Sequence, residues 1–262
     1  DSNCFNFRMS GHLFILGNTP LLAIAELSVF YPHVRLIAPH VALVAEDIVA
    51  PDVIARLGGT VKIAAVIAQA ERVDADVIVK TLQEHAETNL TFGISSYTTD
   101  LLVTHGLLDA VKRELHALGK HVRFVEGKHG AELSSVLVKK QAVTELVVVK
   151  DEKGWMIGQT LVVQDFEQWA NRDFGRPAAD PKAGMLPPKV ARMAVNLAFE
   201  PRTTNHEPRV LLDPFCGMGT VLGEALLTGW NVVGSDLSAE VVDKAKKNIE
   251  WLEGSDTSKK YP

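Results

Sequence analysis

Two carboxylates and two glycines carry the most chemistry in this chain. An apolar run, Val210-Leu211-Leu212, leads into Asp213-Pro214-Phe215-Cys216-Gly217-Met218-Gly219-Thr220, and a second apolar stretch closes on Asp236. Glycines at such a turn let the backbone bend sharply and approach a ligand closely, and the helix that follows presents free N–H groups to it. Gly217, Gly219 and Gly223 give G-x-G-x-x-x-G, whereas a dinucleotide site uses G-x-G-x-x-G. The acid four places before Gly217 also points away from a pyrophosphate. Asp236 stands where the ribose-binding acid of a nucleotide-type α/β domain belongs. Its bland alternative is a helix cap, but Ser238 is the better N-cap, with Glu240 and Asp243 in the first turn. That leaves Asp236 for a ligand. Cys216, inside the loop, reads as a small packing residue.

The elements that must hold these residues follow from periodicity. The strand carrying Leu211 reads as a buried parallel strand at the centre of a sheet, and the helix after the loop has Val221, Leu222, Ala225 and Leu226 on one face. Upstream, short strands alternate with amphipathic helices, an α/β pattern. Strands are expected at 12–17, 41–45, 61–68, 91–95, 121–125, 133–139, 145–150 and 154–163. Helices are expected at 20–30, behind a Thr19 cap, at 75–86 and at 101–118, where Leu108, Val111, Leu115 and Leu118 form the apolar stripe and Gly119 the stop. Residues 164–188, rich in Asp, Arg, Gly and Pro, read as a linker. A helix beginning at its prolines would bury Val190, Met193, Ala194, Leu197 and Ala198, and 201–208 form a loop.

Bulk properties exclude several classes. The 262 residues are 47% hydrophobic and 23% charged, an ordinary globular composition. No apolar run approaches the roughly 18 residues that span a bilayer, and Asp1–Ser10 lacks the features of a signal peptide, so a cytoplasmic location is the simple reading. Cys4 and Cys216 lie far apart and the nine histidines show no ligand spacing, so neither disulfide nor metal is expected. The net charge of −5 argues against indiscriminate nucleic-acid binding. Its distribution is uneven. Residues 1–110 carry 6 Lys/Arg and 12 Asp/Glu, whereas 111–153 carry 9 and 6. A solvated face and a phosphate-binding face account equally well for that local excess.

The glycine loop with its preceding acid resembles the first motif of the S-adenosylmethionine-dependent methyltransferases, in which the loop packs against a cationic methyl donor. A longer resemblance joins Trp169-Ala-Asn-Arg172-Asp173, Arg176-Pro177, Asp180-Pro181, Gly184-Met185-Leu186-Pro187-Pro188-Lys189 and Asp213-Pro-Phe-Cys-Gly-Met-Gly-Thr. Together they resemble the THUMP-containing tRNA guanosine N2-methyltransferases, in the branch that modifies guanosine at tRNA position ten. Strong over residues 155–236, the likeness continues upstream in element order and in Phe92-Gly-Ile-Ser-Ser. It implies S-adenosyl-L-methionine as cofactor, held by Gly184, Met185, Leu186 and Pro187 together with Asp213, Pro214, Phe215, Cys216, Gly217, Gly219, Thr220 and Asp236. It implies a ferredoxin-like part over 1–50, a THUMP-like RNA-binding domain over 51–163, a linker and cofactor-wrapping helix start over 164–205, and the beginning of a Rossmann-like methyltransferase domain over 206–262. tRNA is the implied partner, with room for a small activator subunit and none for a membrane. Lys112, Arg113, Lys128, Lys139, Lys140 and Lys150 are candidates for phosphate contacts, though no motif singles them out.

One departure matters. The family's acceptor motif, Asp or Asn followed by Pro-Pro and an aromatic residue, does not occur in this sequence. Only 49 residues follow Asp213, against roughly 100 to 150 for a full domain. The chain therefore reads as a fragment of a longer protein, expected to bind the donor weakly or not at all and to transfer no methyl group alone, with the catalytic residues unassigned. A DNA amino-methyltransferase and a non-catalytic RNA-binding fragment remain the alternatives.

Overall fold

The computed structural model describes residues 11–85, 89–128, 132–180, 184–199 and 209–255. Asp1–Ser10 with Cys4, and the loop at 201–208, lie outside them. Mixed α/β is the observed class, and the chain divides into two compact units. The first holds residues 1–20, 31–55 and 60–164; the second holds 21–30, 56–59 and 165–262.

Unit 1 is built on one eight-stranded sheet in the order β2-β3-β1-β4-β8-β7-β5-β6. Its strands are β1 (His12–Leu16), β2 (Arg35–Ala38), β3 (Val41–Val44), β4 (Thr60–Ala70), β5 (Asn89–Ser96), β6 (His121–Phe124), β7 (Thr144–Asp151) and β8 (Gly154–Val163). Pairing is antiparallel from β2 across to β7, and parallel where β5 joins β7 and β6. Successive side chains of β7 point to opposite faces. Leu146 and Val148 accordingly enter a core with Ile78 and Leu82 of α3 (Ala75–His85) and Leu108, Val111 and Leu115 of α4 (His105–Ala117). Val147 and Val149 enter a second core with Leu13, Ile15 and Leu43, against which Ile37 and Ala38 of β2 also pack. A sheet covered on both faces explains the continuous apolar run of β7.

Unit 1 corrects three expectations and adds two elements. Residues 133–139 are not a strand: Ser134 caps a short helix, α5 (Ser135–Lys140), its hydroxyl accepting from the Leu137 N–H. Leu133 is pinned from both sides, its N–H donating to Ser95 Oγ and its carbonyl accepting from Lys62 Nζ, so its backbone is not offered to a ladder. Helix α4 begins at His105 behind a Thr104 cap, four residues later than the apolar pattern alone suggests. Leu118 falls at its C-cap and is exposed. β2 and α2 (Ala50–Arg56) were not anticipated.

Unit 2 contains α1 (Pro20–Phe30, from Leu21 on), the Arg56–Gly59 turn, α6 (Phe166–Phe174), α7 (Pro188–Leu197), β9 (Val210–Asp213), α8 (Thr220–Leu227), β10 (Asn231–Gly234) and α9 (Ala239–Ser255). The supposed linker is thus partly helical. Asp165 caps α6 by accepting from Gln168 N–H, and Gly175 ends it. The stripe on α7 also differs, for Ala191, Met193 and Val195 are buried with Arg192 and Asn196, while Ala194, Leu197 and Ala198 are exposed. The buried polar pair has partners waiting. Glu26 of α1 accepts from Asn196 Nδ2 at 2.6 Å and from the N–H groups of Gly58 and Gly59 at 2.8 and 2.9 Å. No side chain fits on either glycine: a Cβ would sit 2.3 Å from the Lys189 carbonyl or 2.4 Å from Ala23 Cβ.

Candidate functional site

β9 and β10 run parallel, Asn231 opposite Val210 and Gly234 opposite Asp213, with α8 as the crossover. Among the described residues β10 is the strand that pairs with β9. Helices cover one face: Leu211 and Val232 pack with Cys216, Leu222, Ala245 and Ile249. The other apolar positions, Val210, Leu212 and Val233, are 53–65% exposed.

The site lies where the two strands end. Ser235 N–H donates to the Asp213 carbonyl at 3.0 Å and Cys216 N–H to the Ser235 carbonyl at 2.9 Å, which extends the parallel pairing into the loop. The Asp213 carboxylate accepts from Phe215 N–H at 3.1 Å and so holds the first turn. Gly217 and Gly219 then take φ values of +51° and +78°, where any residue with a Cβ is strained. At Gly217 open space surrounds the position of a Cβ, so conformation and access to a ligand, not crowding, explain the glycine. Gly219 is the N-cap of α8 and supplies no capping side chain. The free N–H groups of the helix start are left to other acceptors.

Asp236 joins this loop directly. Its Oδ2 accepts from Gly217 N–H at 3.1 Å and its Oδ1 from Ser238 N–H at 3.2 Å, while Ser238 Oγ caps α9 at Val241. The carboxylate is thus shared between loop and helix, oriented by two donors with lone pairs to spare. Two carboxylates flanking one glycine turn make the crevice negative, which suits a cation and repels a diphosphate. The Cys216 thiol is pushed up by burial and by the two aspartates, and stays protonated as a packing group.

Gly184, at φ +66°, and Leu186 are exposed, and Pro187 is the N-cap of α7. Met185 Sδ accepts from Asp180 N–H. No hydrogen bond ties 184–187 to Gly217 or Gly219 among the described residues. The segment just before it is anchored beside the loop: Arg176 donates to Thr220 Oγ1 at 2.8 Å, and Asn248 of α9 bonds both Ala178 and the Met218 carbonyl at 2.9 Å. Asn248 went unforeseen, one polar residue on a helix face. Gly234 was also missed; a Cβ there would meet Leu222 at 2.4 Å, so the strand end and α8 touch through it.

The six basic candidates all lie in unit 1. Lys128, Lys139 and Lys140 are exposed, the last two in the final turn of α5. Arg113 pairs with Asp109 at 3.1 Å, Lys150 with Asp100 at 2.7 Å, and Lys112 lies 5.9 Å from the Phe124 ring centroid. Among the described residues no helix is long and apolar enough to cross a membrane, and no cluster of His, Cys, Asp or Glu could hold a metal.

No family model matches the chain. A stretch of 80 residues is 44% identical to a tRNA (guanine(10)-N2)-dimethyltransferase of Pyrococcus abyssi, covering 30% of this chain and 20% of that protein. Over 115 residues it is 33% identical to the Methanocaldococcus jannaschii protein of the same name, covering 44% and 30%. The matched stretches thus span less than a third of those relatives. The fold is shared with the crystal structure of TrmN from Thermus thermophilus, at a TM-score of 0.54 and 16% identity, over 92% of this chain and 70% of that one.

Proposed function

We propose that unit 2 carries the donor site of an S-adenosyl-L-methionine-dependent methyltransferase, that its substrate is tRNA, and that the acceptor is the N2 amine of a guanosine, position ten being the one its curated relatives are named for. One observation carries the donor half: the Gly217 N–H to Asp236 hydrogen bond, which unites the glycine turn with the acid that closes β10. The residues suit the group. Asp236 offers free lone pairs to the ribose hydroxyls, Gly217 leaves room for a close approach, and Asp213 and Asp236 set a negative potential beside a sulfonium. When bound, that cofactor supplies a methyl group on a positively charged sulfur. The residues of this chain orient it and match its charge, which is what an in-line displacement needs most. Phe215 and Leu237, 86% and fully exposed beside the loop, offer apolar surface to the ligand. Unit 1 is assigned the RNA, by shape and phosphate contacts through its lysines, with the ferredoxin-like and THUMP-like divisions as its parts.

Equilibrium binding tests the two halves separately. S-adenosyl-L-methionine should bind the chain weakly, and Asp236→Ala or Gly219→Val should abolish that binding while leaving tRNA binding intact. Equal donor affinity in all three proteins contradicts the donor site. Failure of tRNA to bind above a DNA duplex of equal charge contradicts the substrate.

A further inference from the structure

One turn after Gly219, on a helix otherwise made of apolar and small residues, stands Glu224, and its side chain is 3% exposed. Arg172 Nε of α6 donates to its Oε1 at 2.8 Å, and the Arg192 guanidinium of α7, 2% exposed, pairs with its Oε2 at 2.7 Å. The two arginines share one aromatic neighbour, for Arg172 stacks at 4.0 Å over the Trp169 ring and Arg192 lies 5.6 Å from its centroid. Burial pulls the Arg192 guanidinium below its usual range and Glu224 pushes it back up. One carboxylate therefore ties three helices together directly behind the glycine turn. Such a triad is a poor way to gain stability, because desolvation offsets most of the attraction and apolar side chains of similar size often do as well or better. Its distinguishing property is direction. Each oxygen faces its own guanidinium on its own helix, Oε1 in a hydrogen bond and Oε2 in an ion pair, so the rotation and depth of α8 are set, and with them the backbone of the turn that α8 begins.

We propose that Glu224 is a positioning residue for the donor site: held by Arg172 and Arg192, it fixes α8 so that Gly217 and Gly219 keep their ligand-ready conformation. The donor part of this statement rests on the function proposed above; the loop part does not. A purely stabilising role and a positioning role separate in the full chain bearing Arg172→Met, Arg192→Leu and Glu224→Leu together. Positioning predicts a thermal midpoint at or above that of the parent, with exchange of the Gly217 and Gly219 amides at least tenfold faster. The Ser235 amide, bonded to Asp213 on the strand, should stay unchanged, and donor affinity should drop by tenfold or more. A stable triple variant whose loop amides exchange within twofold of the parent overturns the proposal. Should the triple variant not fold, Glu224→Gln decides by the same amides, since it keeps the size and loses the charge; unaltered loop exchange there also overturns it. Absence of donor binding by the parent chain contradicts the proposed function alone and leaves the exchange result to judge Glu224.

Discussion

Val148 on β7 and Val233 on β10 both lie in strands with a parallel neighbour, yet Val148 is fully buried and Val233 is 53% exposed. In unit 1 the central strands bury most of their side chains, one face under α3 and α4 and the other against β1, β2 and β3. In unit 2 helices cover one face, and the chemistry-bearing residues sit on the turns beyond the strand ends. The lesson is a division of labour. The large sheet is mainly a matter of stability, and the small one is mainly a matter of what its loop can hold.

The sharpest way to break this comparison is to put one charge in both places. Val148→Asp buries an unpaired carboxylate and should cost more than about 4 kcal/mol, enough to unfold unit 1, whereas Val233→Asp should stay within about 0.5 kcal/mol. Urea titration of the two variants checks it, and equal losses would deny the difference.

A second test concerns the charge that unit 1 does bury. Lys62 and Glu145, both under 3% exposed, form an ion pair in the middle of the sheet, with Ser95 and Thr160 also donating to Glu145 and Lys62 donating to the Leu133 carbonyl. Lys62→Met alone should cost roughly 3–5 kcal/mol, while Lys62→Met with Glu145→Leu should recover most of it, because the single change strands a buried charge. A double variant no more stable than the single one contradicts this reading.

Part of this contrast was legible beforehand, but not the exposure of β9, which reads as a buried strand at the centre of a sheet and instead leaves Val210 and Leu212 57% and 65% exposed. The glycine turn, Asp213, Asp236 and the Ser238 cap could be read because short-range rules decide them: a positive φ needs glycine, and a cap needs a hydroxyl. The helix 20–30 and the strand 154–163 were also found at their true limits. What failed was decided at long range. Ser-Val-Leu-Val reads as strand, and the pinning of Leu133 by Lys62 and Ser95, 71 and 38 residues away, goes with a helix instead. The α7 stripe was misassigned since nothing local reveals that Arg192 and Asn196 would find Glu224 and Glu26. α6 and α2 did carry signals, the Asp165 cap and Pro51-Asp52 at a helix start, hidden by a texture that resembles a linker.

Smaller effects sharpen the comparison further. Burial raises the Glu26 carboxyl above its ordinary 4.5, against the lowering by Gly58, Asn196 and Gly59. A raised folded value means that the native state holds the proton more tightly, so this group's contribution is full below about pH 4.5 and is lost as pH climbs through the folded value. The stability of the parent minus that of Glu26→Gln should accordingly fall as pH rises above 4.5. A difference that stays flat would mean that the three donors fully offset burial. The smallest stability change is expected for Lys139→Ala with Lys140→Ala, within about 0.5 kcal/mol, since both are exposed on α5. If unit 1 holds the RNA, the same pair should lower the slope of log tRNA affinity against log salt by up to about 2. An unchanged slope removes both lysines from the contact surface.

The central claim is that the turn from Gly217 to Thr220, with Asp236, receives the methyl donor, and amide chemical shifts report on it residue by residue. Titrating S-adenosyl-L-methionine into the chain should move the Gly217, Gly219 and Thr220 amides, leave Ile94 and Val148 of the large sheet in place, and have no effect on the turn in Asp236→Ala. Unmoved turn amides, or the same displacement produced by a nucleoside triphosphate, would contradict it.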